Sequence, residues 1–228
     1  MSRKFVVTDI HGCASTFKKL VKEKIKLSKN DELFLLGDYI DRGPDSKGVL
    51  DFIIELQRDN YRVKCLRGNH EEFLLYALRD EREFYHWKTR NGGATTLRSF
   101  GVSTVQDIPV QYINFIQQLP YYFETEEYLM VHAGFNFEVD DPFEDKQAML
   151  MIRNFKIDTD FLNGRKILHG HTPTQLSQII TNVENRDALE INLDAGCVYD
   201  SVPDMNYLVA LELNKWKLYV ENCIDEIP

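Results

Sequence analysis

Five times along this chain a short apolar run stops abruptly at a polar turn bearing aspartate, asparagine or histidine. "KFVVT" runs into Asp9-Ile10-His11-Gly12, and "ELFLLG" into Asp38. "RVKCLR" leads to Gly68-Asn69-His70-Glu71, "EYLMV" to His132-Ala133-Gly134, and "RKILHG" to His171-Thr172-Pro173. Runs that are apolar throughout, without alternation, suit strands covered on both faces. Helical stripes separate the first of them: Phe17, Leu20, Val21 and Ile25 behind a Ser15 N-cap, then Val49, Leu50, Ile53 and Leu56. Strand, helix, strand, helix, strand predicts an α/β fold. In such a sheet the turns beyond the strand C-termini converge on one crevice. The pattern therefore predicts where the polar residues meet as well as how the chain folds.

The 228 residues can bury one full core, so 1–228 is read as a single domain. From Glu72 to about Glu127 the pattern turns helical, which predicts a helical cap segment over 72–127 within that domain. "YLVALEL" and "KLYVENC" around Asn214-Lys215 predict a closing hairpin. A net charge of -9 argues against a general nucleic-acid or anionic-membrane binder, and requires any phosphate site to be made positive locally. No run approaches the ~18 apolar residues of a membrane span, and the residues before Asp9 do not read as a signal peptide. Cys13, Cys65, Cys197 and Cys223 are widely spaced without a C-x-x-C pair and read as reduced thiols. A cytoplasmic protein is expected.

Five of the six histidines fall in the post-strand turns. Asp9, His11, Asp38, Asn69, His132 and His171 together offer six nitrogen and oxygen ligands without a thiolate, more than one tetrahedral zinc needs. Such a set suits two divalent ions about 3.5–4 Å apart. Asp38 is the natural bridge, with two oxygens and a charge that reduces cation–cation repulsion.

"DIHG", "GDYIDRG", "RGNHEE", "VHAG" and "HGHT" stand in the order of, and together resemble, the calcineurin-like metallophosphoesterase superfamily, in its bacterial serine/threonine phosphoprotein-phosphatase branch. The resemblance implies a two-sheet α/β metallophosphoesterase sandwich flanked by helices. It also implies a first metal on Asp9 and His11, a second on Asn69, His132 and His171, and Asp38 bridging. Manganese is the expected metal, with iron, zinc and nickel as alternatives. A bridging hydroxide is the expected nucleophile, His70 the proton donor and Asp41 its orienting carboxylate. Arg42, Arg153 and Asn69 are the expected phosphate contacts. Arg67 is expected to brace its loop, His169 to sit outside the ligand set, and His86 and Trp87 to pack in the cap. Tyr39 and Phe135 fit a substrate groove or the core equally well.

The resemblance implies a phosphomonoester hydrolase. A serine/threonine protein phosphatase is expected first, because Asp41 and Glu71 match that form and the short cap suggests an open groove. The alternative is a symmetrical diadenosine tetraphosphate hydrolase on the same scaffold. The expected partners are accordingly a phosphorylated protein or a small phosphoester.

Overall fold

The computed structural model describes residues 2–228. Its strands are β1 (Lys4–Val7), β2 (Glu32–Leu35), β3 (Arg62–Cys65), β4 (Tyr122–Glu124), β5 (Tyr128–Val131), β6 (Lys166–His169), β7 (Glu190–Asn192), β8 (Tyr207–Glu212) and β9 (Lys217–Asn222). They form two sheets, in the orders β3-β2-β1-β8-β9 and β4-β5-β6-β7. β1 runs parallel to β2 and antiparallel to β8, so both its edges are paired. The expected two-sheet sandwich is present.

The lack of alternation in the strands now has its cause. Val6, Phe34, Leu36 and Leu66 pack with Met130, Leu168 and Ile191 between the sheets. On the other face of the first sheet, Phe5, Val7, Leu33 and Leu35 pack under α1 (Ala14–Lys19) and α2 (Ser46–Arg58). Leu129, Val131 and Ile167 meet Met149 of α7 (Lys146–Met151) and Leu162 of α8 (Thr159–Leu162) behind the second sheet. Successive residues of a strand point to opposite faces, and in β1, β2, β5 and β6 both faces are apolar. β3 departs from the expectation and alternates, with Arg62 and Lys64 exposed.

The segment read as a cap holds α3 (Asn69–Ala77), α4 (Glu81–Arg90), α5 (Gly93–Phe100) and α6 (Val110–Gln117). Its last part departs from the helical reading. After Pro120 the aromatic run Tyr121-Tyr122-Phe123 enters the second sheet as β4, antiparallel to β5. Leu74, Trp87, Leu97, Tyr112 and Ile116 join the same apolar cluster as Phe5 and Val49. The helices are thus built into the core on the first sheet's side.

α1 begins one residue before Ser15, with Cys13 at its N-cap and no side-chain cap of its own. The Asp225 carboxylate caps it instead, accepting from Ser15 N at 3.0 Å and Thr16 N at 2.8 Å. Such a cap is invisible to any local motif. The last helix, α9 (Leu176–Glu184), places Ile179 and Val183 in the inter-sheet core.

Candidate metal centre

Six of the residues singled out from the sequence have left-handed backbone: Asp9 (φ 46°), His11 (45°), Asp38 (55°), Asp41 (72°), Arg42 (68°) and His171 (71°). Non-glycine residues rarely adopt this region, at a cost of order 1–3 kcal/mol each unless the surroundings over-determine them. The turns determine one another. His11 N donates to Asp38 O at 2.9 Å, Gly12 N to Tyr39 O at 2.9 Å, and Gly43 N to His11 O at 3.0 Å. Buried Glu71 accepts from the backbone N–H groups of Asp38, Tyr39 and Gly68 at 2.8, 2.8 and 2.9 Å. Burial, opposed by these donors, still pushes its carboxyl up to about 7.

All six expected ligands are buried and meet at the sheet ends. Asn69 Oδ1 lies 2.9 Å from His132 Nε2 and 2.8 Å from His171 Nδ1. His132 Nδ1 donates to Leu36 O at 2.9 Å, which leaves its Nε2 as a lone pair facing another lone pair. A cation resolves that acceptor-to-acceptor contact. His11 Nδ1 likewise donates to Ile40 O at 3.0 Å, fixing Nε2 as the inward ligand atom.

By proximity the ligand atoms fall into two sets, His11/Asp38/His70 and Asp38/His132/His171, each within 4.8 Å. Asp38 belongs to both, as a bridge would. His70 rather than Asp9 completes the first set. The Asp9 carboxylate instead accepts from His171 N at 3.1 and 3.0 Å.

Glycine makes these approaches possible. A Cβ on Gly170 would stand 1.9 Å from Asp9 Oδ2, and one on Gly68 would stand 2.2 Å from Asp38 Oδ1.

Charge also fits a cationic occupant. Burial, with Asp194 close to Asp9 and Asp9 close to Asp38, raises both carboxyls well above their usual range. Burial lowers His11, His70 and His132 to the neutral, ligating form. Several buried acids facing neutral imidazoles are what divalent ions would compensate. The residues therefore fit two such ions.

His70 Nδ1 donates to Asp41 Oδ2 at 2.8 Å, and its Nε2 lies 3.9 Å from Asp38 Oδ2. Arg42 Nη1 donates to His11 Nε2 at 2.9 Å. That is the lone pair a cation would need, so this Arg42 rotamer and a metal on His11 exclude each other. Arg153 is exposed after α7, and its positive charge helps lower His171, for which burial is the larger cause, to about 4.

His169 points away, its Nε2 pairing with Glu190 Oε1 at 2.8 Å. Arg67 braces its loop through Glu72 Oε2, Tyr121 Oη and Gln117 O. Tyr39 and Phe135 are both fully buried, so neither lines a groove. His86 is exposed, not packed as expected, whereas Trp87 is buried and donates to Asp41 Oδ2. Sequence reasoning also missed Thr96, which donates to Asp41 Oδ1 at 2.6 Å, and buried Asp194 beside Asp9. In the sequence, "NGG" at 91–93 marks this support. Gly92 packs directly on the Arg42 backbone, and Gly93 on the Trp87 ring.

A two-sheet sandwich with a histidine- and carboxylate-lined centre at the strand ends is an architecture suited to divalent metal ions. A family model of calcineurin-like phosphoesterases matches residues 3–199, and the chain belongs to that family. It is 26% identical over 192 residues to a symmetrical bis(5'-nucleosyl)-tetraphosphatase of Pseudomonas putida (strain GB-1), covering 79% of this chain and 59% of that protein. Over a shorter stretch of 73 residues it is 44% identical to serine/threonine-protein phosphatase 1 of Salmonella typhimurium, covering 32% of each. The chain thus spans less than two thirds of each of these relatives. A crystal structure of a candidate diadenosine tetraphosphatase superposes with a TM-score of 0.68 at 22% identity, covering 97% of this chain and 94% of that one. Among the described residues no helix is long and apolar enough to cross a membrane.

Proposed function

We propose that the chain hydrolyses dinucleoside polyphosphates. This reverses the order of the two substrate readings drawn from the sequence. The observation that carries it is a cavity of about 410 Å³ opening beside Asn69, lined by Phe73, Tyr76, Tyr121, Leu150 and Met151. Lys146 also borders it, its Nζ 5.5 Å from the centre of the Tyr121 ring. A nucleobase stacked on such rings gains about 1–3 kcal/mol. The match over 192 residues to a symmetrical bis(5'-nucleosyl)-tetraphosphatase supports the same substrate class.

In this reading Asp9, His11 and Asp38 would hold one divalent ion, and Asp38, Asn69, His132 and His171 would hold the other. When bound, the ions supply Lewis acidity toward phosphoryl oxygens and lower the pKa of water to about 7. Manganese fits the mixed ligand set, as do iron, zinc and nickel. Arg42, released from His11, and Arg153 supply the positive charge that binds phosphate oxygens, assisted by the Asn69 amide. With His70 neutral and its proton on Nδ1 toward Asp41, a second proton taken up on Nε2 would serve the leaving oxygen, and the Asp41 carboxylate would stabilise the imidazolium so formed.

The His70–Asp41 contact favours a second reading, phosphoserine or phosphothreonine hydrolysis. An alkoxide needs a proton donor more than a nucleoside diphosphate does. The test is diadenosine tetraphosphate beside a phosphoserine peptide on the metal-loaded chain. We expect ADP as the product, with at least about tenfold higher kcat/KM for the dinucleotide, a transition-state difference of about 1.4 kcal/mol. A tenfold preference for the peptide, or AMP plus ATP as products, would overturn the proposal.

A further inference from the structure

Behind the candidate metal centre, three cysteines distant in sequence come together. Cys13 follows the His11-Gly12 turn, Cys197 lies three residues beyond Asp194, and Cys223 follows β9. Their sulfurs all lie within 4.8 Å of one another, and Cys223 Sγ is 3.7 Å from Cys13 Sγ. Cys13 and Cys197 are buried, whereas Cys223 is half-buried and opens the cluster toward solvent. The fourth cysteine, Cys65, is elsewhere, beside Gln57 at the end of β3.

From this geometry we propose that Cys13, Cys197 and Cys223 form a binding site for a zinc-class, thiophilic d10 cation, separate from the phosphoesterase centre. Zinc–sulfur bonds of about 2.3 Å at tetrahedral angles set the sulfurs about 3.8 Å apart. The Cys13–Cys223 separation already matches that spacing. A disulfide would need two of the sulfurs to close to about 2.05 Å and would strand the third.

The surrounding chain holds the half-exposed member in place. Ile224 N donates to Thr16 Oγ1 at 2.9 Å, and Thr16 Oγ1 donates to Asp225 Oδ2 at 2.7 Å. Contact with the Cys13 and Cys197 thiols holds the Cys223 thiol well below its usual range. Each cysteine that ligates the cation releases its thiol proton to solvent, so three thiolates and one dication leave a single negative charge. An oxygen donor from solvent on the Cys223 side completes four-coordination.

The site differs from the phosphoesterase centre in ligand chemistry, and that difference supplies the test. The full chain, reduced and loaded with Mn²⁺, is titrated with Cd²⁺ while the sulfur-to-cadmium charge-transfer absorption is followed. Imidazole and carboxylate ligands do not produce this band. We expect it to saturate at one equivalent, to be lost in Cys223→Ser, and to survive in Cys65→Ala. Cys223→Ser is expected to keep its Mn²⁺-dependent hydrolysis, which shows that the variant is folded. No band in the reduced wild-type chain, or an equal band in Cys223→Ser, would overturn the proposal. So would mild oxidation giving a Cys13–Cys223 disulfide in a chain that takes up no cadmium when reduced.

Discussion

Trp87 Nε1 donates to Asp41 Oδ2 at 2.8 Å, the same oxygen that His70 Nδ1 reaches at 2.8 Å. Thr96 Oγ1 holds the other oxygen. Burial pushes the Asp41 carboxyl up to about 8, and the Thr96 and Trp87 donors pull against it. A tryptophan and a threonine from the inserted helices therefore help decide whether Asp41 is charged, and through it how His70 is held.

Trp87→Phe keeps most of the ring volume and removes the donor. A hydrogen bond to a charged group is worth about 1.5–3 kcal/mol, so kcat on alkyl phosphates should fall by at least about tenfold. Aryl phosphates should lose less. Loss of a donor raises the Asp41 pKa further, so the acid limb of the kcat–pH profile should move to higher pH. Equal losses across leaving groups with an unmoved profile would make Trp87 a packing residue only.

His70→Asn should lower hydrolysis of alkyl phosphates by about 10²–10⁴-fold, the usual contribution of a general acid. The loss should shrink as the leaving group becomes more acidic. A leaving-group series with a constant loss would assign His70 to metal binding, where its place beside His11 and Asp38 would put it.

Gly170→Ala should expel Asp9 from its hydrogen bonds to His171 N, because the new methyl carbon would stand 1.9 Å from Oδ2. Bound metal, counted after dialysis, should fall below two ions per chain while the fold survives. Two retained ions would remove Asp9 from the ligand set.

Arg42→Ala should act in opposite directions on metal and substrate. It removes the guanidinium from His11 Nε2 and so should tighten divalent binding. It should also cost about 10²–10³ in turnover, as loss of a transition-state donor does elsewhere. Calorimetric metal titration and steady-state kinetics read the two effects independently.

Asp31 ties the start of β1 to the loop before β2, accepting from Arg3 N at 3.0 Å and Ser28 N at 2.9 Å and pairing with the Arg3 guanidinium. Burial raises its pKa, but these donors outweigh it and the net shift is downward. Its stabilisation is therefore present above the ordinary aspartate range near pH 4 and lost as pH falls below it. Asp31→Asn should cost about 1.5–3 kcal/mol in urea unfolding at pH 7. That difference should close toward pH 2, and a pH-independent difference would assign the effect to shape alone.

The strands and the turns that end them were legible because burial on both faces leaves an apolar run, and chemistry at a strand end interrupts it. Asp9, His11, Asp38, Asn69, His132 and His171 were singled out that way, and all six are buried. Four other kinds of feature had no local signal. The left-handed φ of Asp38 and Asp41 is imposed by neighbouring turns, not by residue type. The Asp225 cap on α1 joins residues more than two hundred positions apart. Trp87 was misread as packing alone because nothing in its helix shows that the indole N–H meets a buried carboxylate. β4 was lost because a three-residue strand behind helices is too short to show a period.

The placement of β1 between β2 and β8 has a consequence for how the polypeptide emerges during synthesis. Val6 pairs with Phe34 on one side early, but its other neighbour, Leu211, is made some two hundred residues later. Until then the central strand presents an open hydrogen-bonding edge, the kind that templates association with other chains. Pairing of such long sequence separation is also slow to form. A nascent chain stalled before residue 207 would already contain all five post-strand turns, yet its first sheet would lack two of five strands. Ribosome-associated chaperones that shield strand edges should therefore matter more to the yield of this protein than its size alone would suggest.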